Sequence, residues 1–291
     1  MIKKLYILLF FTSLIISSET ETFLDNGIGV NSTSMGQAYF NIVDVESAFY
    51  NPALLSDIQK NQIKLVLNKN IENIDELYFA SGISNNILDI GVTYFRSQLK
   101  DEIKETKVNE EGIYLTGEKH SYFTSMLMLT LSKYFIPFKS NVGINLKQYC
   151  KNLSKTQGTC YSIDVGISKY ILNKSVNLSA TIRNPASSGY TWQTETEKPD
   201  LEYILGVGLD ISSLKINLGS IINKNSNKLL FGLEWNHLNT LFCRTGYNKN
   251  LLSGGISINL FDVSFDYCYN HPLEVKDIIE SYHKFGISFK F

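Results

Sequence analysis

With 291 residues, the chain has room for one large β-domain or two small ones. A formal net charge of −1 and a pI of about 6.4 exclude an electrostatic case for nucleic acid as a partner. Hydrophobic residues make up 44% and mean hydropathy is −0.06, which argues against a bundle of spanning helices. A membrane barrel stays open, because half of each barrel strand is polar and the average cancels.

Met1 to Ser18 reads as a targeting segment. Lys3 and Lys4 supply a positive start, Leu5 to Ile16 is an apolar run broken only by Thr12 and Ser13, and Ser17 and Ser18 suit cleavage before Glu19. The run is short for a spanning helix, so a cleaved signal peptide is the expectation, with an uncleaved anchor as the alternative. No Cys follows it, which argues against a lipoprotein. Residues 23–60 carry small residues and turn formers without alternation. Gly27 and Gly29 permit tight backbone, Asn51-Pro52 signals a turn, and Ser32–Tyr39 and Val45–Tyr50 each suit a short helix.

From Asn61 onward the pattern changes to short runs of period-2 alternation, apolar on one face and polar on the other. The predicted strands are 61–70, 75–84, 87–98, 119–135, 139–151, 158–171, 174–184, 201–211, 213–223, 227–236, 238–249, 251–260, 261–270 and 281–291. Long connections, 99–118, 185–200 and 271–280, all follow odd-numbered strands. The links after even-numbered strands, such as Pro137-Phe138, Leu172-Asn173, Ser212 and His237, are very short. Long external loops alternating with short periplasmic turns are the rule for membrane barrels, and a secreted sandwich would show no such parity. The predicted fold is therefore all-β: a transmembrane antiparallel up-and-down barrel of about fourteen strands, spanning 61–291. Its last strand, Tyr282–Phe291, should pair with 261–270 on one side and 61–70 on the other. Phe289 and Phe291 would then stand at its end, where the C-terminal aromatic of an outer-membrane barrel serves as an assembly signal.

The stretch Met35 to Leu55, MGQAYFNIVDVESAFYNPALL, resembles the N-terminal signature of PorV/PorQ-type outer-membrane proteins, relatives of the FadL fatty-acid channels. Gly232-Leu233-Glu234-Trp235, Arg244-Thr245-Gly246-Tyr247 and His283-Lys284-Phe285-Gly286-Ile287 extend the resemblance across most of the chain. Gln37 departs from the usual second Gly, and Val45-Glu46-Ser47-Ala48 from the usual lead-in. The resemblance implies that residues 23–60 fill the lumen as a plug, or hatch, with Met35, Gly36, Ala38, Asn51, Pro52 and Ala53 as its motif. Independently, a barrel of this size is too wide for its own side chains to fill. Met35, Tyr39, Phe40, Phe49, Tyr50, Leu54 and Leu55 are too apolar for the alternative, a disordered periplasmic tail.

Strand parity turns Lys147, Asp164, Arg183, Glu234, Arg244, Asp262 and Asp266 toward the lumen, either as a polar path or as a solvated lining that holds the plug. Glu234 and Arg244, on neighbouring strands with the same parity, suit an ion pair. Cys150 and Cys243 fall on the outward face and Cys160 and Cys268 on the inward one, so four free thiols are expected. His120, His237, His271 and His283 are scattered and form no metal or catalytic motif. No enzyme activity, metal or cofactor is expected, although a Ser-His site stays open among the many serines. The resemblance implies a passive uptake channel for small hydrophobic molecules. Ile113, Tyr114, Leu115, Tyr190 and Trp192 would be apolar contacts in its external loops. The alternative is a PorV-type, non-conducting secretion-system component that docks cargo at the cell surface, and a purely structural barrel is a third reading. Partners under these readings are membrane lipids, the barrel-assembly machinery, and a hydrophobic ligand or a secretion-system protein, with the cell outer membrane as the location.

Overall fold

The computed structural model describes residues 27–69, 74–109, 112–153, 156–191, 196–249, 251–273 and 281–291. Fourteen strands form one closed antiparallel barrel. The first seven are β1 (Gln62–Lys69), β2 (Ile74–Ile83), β3 (Asp89–Asn109), β4 (Gly112–Phe135), β5 (Ser140–Leu153), β6 (Thr156–Ile171) and β7 (Val176–Ser187). A two-stranded ribbon, β8 (Tyr190–Thr191) and β9 (Thr196–Glu197), lies in the next connection. The wall continues with β10 (Glu202–Ile211), β11 (Leu214–Asn223), β12 (Asn227–His237), β13 (Leu241–Asn248), β14 (Leu251–Leu260), β15 (Val263–Pro272) and β16 (Tyr282–Lys290). Each barrel strand pairs with its neighbours in order, β7 pairs with β10, and closure is made by β1 against β16, with Ile63 opposite Phe289 and Leu67 opposite Phe285.

The barrel is inside out relative to a water-soluble protein. Along β1, Gln62, Lys64, Val66 and Asn68 are buried while Ile63, Leu65 and Leu67 are exposed. Along β15 and β16, Ser264, Asp266, Cys268, Asn270, Lys284 and Ser288 point in while Phe265, Tyr269, Phe285 and Phe289 point out. A polar interior behind an apolar outer face is the transmembrane barrel arrangement, and it fixes the register, since a one-residue slip would turn Lys64 and Asp266 to lipid.

The two rims differ. At one rim the turns are tight, and several need left-handed backbone: Lys139 (φ 46°), Ser212 (φ 58°), Leu238 (φ 53°) with Asn239 (φ 57°), and Phe261 (φ 57°). Positive φ at both central residues of Leu238-Asn239 is the hairpin geometry whose twist matches the flanking strands. At the other rim β3 and β4 continue to 21 and 24 residues, so the expected loop 99–118 is instead largely a prolonged hairpin. The prolonged pairing slips at Leu99/Ile103 and Lys104/Thr106. Phe261 and Asp262 likewise form a turn and not the start of a strand; β15 begins at Val263.

Residues 27–58 pack against the inward-facing side of the wall, and Gln59 and Lys60 are exposed. The local structure of 27–58 is two short helices, Asn31–Ser34 and Ser47–Tyr50, followed by a 3-10 segment, Pro52–Asp57, whose start is capped by the Asn51 side chain accepting from the Ala53 amide at 2.9 Å. Nearly every residue from Gly27 to Leu55 is buried. The expected leader, 1–18, and residues 23–26 lie outside the described residues, as do the side chains of Ile113, Tyr114, Leu115 and Trp192.

Candidate functional site

The inner segment meets the wall mainly where the wall has glycine. Added to Gly246, a Cβ would overlap the Met35 carbonyl carbon and the Gly36 amide, and added to Gly36 (φ 60°) it would lie 2.5 Å from the Tyr247 amide. Gly232 gives similar room, with the Met35 oxygen 2.7 Å from the position of its missing Cβ. The Phe40 ring lies over Gly206 and Gly219, and Pro52 lies against Gly143 and Gly166. Glycine here removes the side chain that would hold two backbones apart. Both halves of the motif read from the sequence, Met35-Gly36-Ala38 and Asn51-Pro52-Ala53, are thus seated on the inner wall. Asn51 Nδ2 also donates to the Ser179 Oγ (2.6 Å) and the Ile167 carbonyl (2.9 Å), and the Ser132 hydroxyl donates to the Ala53 carbonyl (3.2 Å).

Between these seats the contact is ionic. Glu46 receives the Val30 and Ser32 amides at 3.0 and 2.9 Å and the Ser32 hydroxyl at 2.8 Å, so one carboxylate satisfies the start of the Asn31–Ser34 turn. Its Oε1 lies 2.6 Å from Lys64 Nζ, which is also 2.9 Å from Asp266. All three side chains are inaccessible to solvent. Burial raises the carboxyl of Asp44, helped by the negative Glu46 beside it. Burial acts on Glu46 in the same sense, but the Lys64 ammonium outweighs it and holds Glu46 below the ordinary range. Asp44 in turn accepts the Tyr39 hydroxyl at 2.8 Å and the Glu46 amide at 2.9 Å.

Of the charged residues that strand parity singled out, six converge on this lumen. Arg244 Nε contacts Glu234 Oε2 at 2.7 Å, directly across β12 and β13, and its Nη1 donates to Asn31 Oδ1 at 3.1 Å. Lys147 and Asp164 are 2.6 Å apart. Arg183 pairs with Glu202 at 2.8 Å, lies 4.5 Å above the Phe49 ring and donates to the Phe49 carbonyl at 3.3 Å. Asp266 belongs to the Lys64 cluster. Asp262 does not face the lumen: in its turn it is exposed and pairs with the exposed Lys60 at 2.8 Å. The sequence did not single out Glu46 within the inner segment, or its wall partners Lys64, Asn217, Asn145 and Lys284, the last of which donates from Nζ to the Gly27 carbonyl at 2.6 Å. The parity that marks Arg183 also marks Lys64, between Ile63 and Leu65. All four cysteines are free, Cys160 and Cys268 buried and Cys150 and Cys243 partly exposed. Tyr190, expected as an apolar contact in an external loop, lies in the β8 ribbon of that connection and is buried 6.5 Å from the Tyr149 ring, with Lys151 Nζ 4.4 Å above it.

The β6–β7 ladder is interrupted by a two-residue bulge. Ile163 pairs with Ala186, but the next pair is Asp164 with Arg183, leaving Asn184 and Pro185 without partners on β6. Pro185 has no amide to donate, and Asn184 takes φ 57°. The Asn184 side chain accepts from Lys147 Nζ and the Ser162 hydroxyl, both at 2.8 Å, and the Asn184 backbone amide donates to Asp164 at 3.1 Å. Outside this interruption lies a cavity of about 590 Å³. Its lining combines outward Leu127, Leu129, Leu146 and Ile163 with lumen-side Lys147 and Ser162.

No protein-family profile matches the sequence, and no curated protein matches it. Among solved structures, the Pseudomonas putida toluene transporter TodX superposes with a TM-score of 0.67 at 12% identity, over 91% of this chain and 98% of that one. A TodX mutant described as a monoaromatic hydrocarbon channel (deltaS2S3) gives 0.66 at 12% identity with the same coverage. At such identity the likeness is one of fold: a closed fourteen-strand transmembrane barrel.

Proposed function

We propose that the protein is a passive channel of the outer membrane for small hydrophobic molecules, in the manner of the FadL-type channels its sequence resembles. Residues 23–60 act as its hatch, after removal of a leader at 1–18, and Phe289 and Phe291 mark the chain for the barrel-assembly machinery. The observation that carries the reading is the β6–β7 interruption, where an apolar cavity on the lipid-facing side lies against the strand positions of Lys147 and Ser162, whose side chains are buried. With the lumen axis filled by the inner segment, a side exit into the bilayer suits an apolar cargo and not a polar one. The fold likeness to a toluene transporter points the same way. The secretion-platform reading rests on the sequence resemblance alone.

The test is uptake of radiolabelled toluene and of a long-chain fatty acid by Gram-negative cells that lack their own hydrophobic-uptake barrel and express this chain. Expression should raise the uptake rate of at least one of the two. Ala186→Trp, which fills the outer cavity, should abolish the gain while barrel assembly persists. Uptake no faster than in cells without the protein would overturn the channel reading. Full uptake by Ala186→Trp would overturn the β6–β7 exit.

A further inference from the structure

A second cavity, of about 660 Å³, opens at the tight-turn rim between the inner segment and the wall. Asn41, Asn177 and Gly208 line it, with Asn217 behind Gly208 on the next strand. Asn177 on β7, Gly208 on β10 and Asn217 on β11 are in register across three strands. The Asn41 side chain lies over Gly208, where a Cβ would overlap it. Asn217 Oδ1 accepts the Phe40 and Asn41 amides at 3.0 and 3.1 Å, which fixes its orientation, and Asn177 Oδ1 accepts the Ser168 hydroxyl at 3.3 Å. What remains unpartnered is mostly donor: Nδ2 of Asn41, Asn177 and Asn217, together with Asn41 Oδ1. Asn41 and Asn177 line the cavity although only 5% and 1% exposed. Buried amides without partners are uncommon in folded proteins and cost free energy until something accepts from them.

The cavity's charged lining adds to this bias. Lys139, Lys174 and Lys215 contribute three cations against the two carboxylates Asp57 and Asp210. Among the described residues none of the three lysines is ion-paired, whereas Asp57 already accepts from Asn141 Nδ2 at 2.7 Å. The volume far exceeds that of an inorganic anion and falls within the range of small-molecule sites. Val43 and the rings of Tyr134 and Tyr170 supply an apolar wall.

We propose that this rim cavity is a binding site for a small organic carboxylate, its anionic head received by the Asn41 and Asn177 amides and the rim lysines, and its apolar body by Val43, Tyr134 and Tyr170. The site is separate from the β6–β7 interruption and goes beyond the uptake reading, since it requires no conduction through the lumen. Calorimetric titration of the detergent-solubilised protein tests it, with benzoate as the probe, toluene as its uncharged counterpart and inorganic phosphate as a charge-only control. Benzoate should bind saturably with a dissociation constant below about 1 mM, and both controls should be at least about tenfold weaker. The double variant Lys139→Gln/Lys174→Gln, altered only at exposed turn positions, should weaken benzoate at least about tenfold with the heat-shifted electrophoretic mobility of the barrel unchanged. Gly208→Ala, which pushes Asn41 aside, should weaken it independently. Absence of saturable benzoate binding, phosphate binding as tight as benzoate, or benzoate binding indifferent to both sets of changes would each overturn the proposal.

Discussion

Replacing Lys64 by Met removes the one cation between Glu46 and Asp266 while keeping a side chain of similar length. The ammonium lies 2.6 Å from one carboxylate and 2.9 Å from the other, and none of the three groups reaches water. Breaking a buried pair by deleting one partner leaves an uncompensated charge and costs about 3–5 kcal/mol. At about 1.4 kcal/mol per decade, the equilibrium between docked and undocked inner segment should shift by roughly two to three and a half orders of magnitude. The barrel wall should survive, because the β1 ladder to β2 and β16 does not depend on this side chain. Conductance in planar bilayers reads the outcome: the parent should stay closed to ions, and Lys64→Met should open frequently, since an undocked segment uncovers a polar lumen. The triple variant Lys64→Met/Glu46→Gln/Asp266→Asn removes all three charges and should recover much of the closure, because no uncompensated charge stays buried, although the single amide oxygen of Gln can accept from only one of the Val30 and Ser32 amides that the two Glu46 oxygens receive. A closed Lys64→Met channel of normal heat-shifted mobility would refute the view that this cluster holds the segment. A triple variant as leaky as the single one would refute the assignment of the loss to unpaired charge.

Gly246→Val should also undock the segment, because its Cβ would occupy the place of the Met35 carbonyl carbon; overpacking of this kind costs about 1–3 kcal/mol or more. Gly254→Ala is the control, as its nearest contact would be 3.9 Å away, and conductance should separate the two. Asp44 and Glu46 give docking opposite pH dependences. A carboxyl raised on docking makes docking strengthen as pH falls through the raised value toward the ordinary 3.8. Glu46, lowered from 4.5, contributes fully above that pH and loses its contribution as pH falls through the lowered value. Asp44→Asn should therefore abolish the strengthening on mild acidification and leave only the acid loss, visible as open probability against pH. Deleting Phe291, at the end of the closing strand, should reduce the amount of folded barrel in the membrane fraction more than Phe265→Leu within β15, and equal effects would deny the terminal aromatic a special role.

The barrel was legible because lipid on one face and a polar lumen on the other impose a strict period of two. That period alone places Lys147, Asp164, Arg183, Glu234, Arg244 and Asp266 inward. The same rule misplaces Asp262. Phe261 and Asp262 keep the alternation of the strand that follows, yet Phe261 adopts left-handed backbone and turns the chain, and composition alone does not distinguish a turn that keeps the alternating pattern from a strand. In the prolonged β3–β4 hairpin the rule falls silent for a different reason. Residues 99–118 are rich in Lys and Glu and carry no sustained alternation, so a hairpin there reads as a loop. The inner segment was recognised only by resemblance and by its apolar content, because it has no repeating environment. What holds it is a set of single long-range contacts, Glu46 to Lys64, Asn217 to Phe40, Lys284 to Gly27, each joining an aperiodic stretch to one side chain or glycine of a periodic wall. Gly143, Gly166, Gly206, Gly219, Gly232 and Gly246 form the other half of that interface. In a strand they read as weak points, and only the backbone packed against them shows why a side chain is missing there.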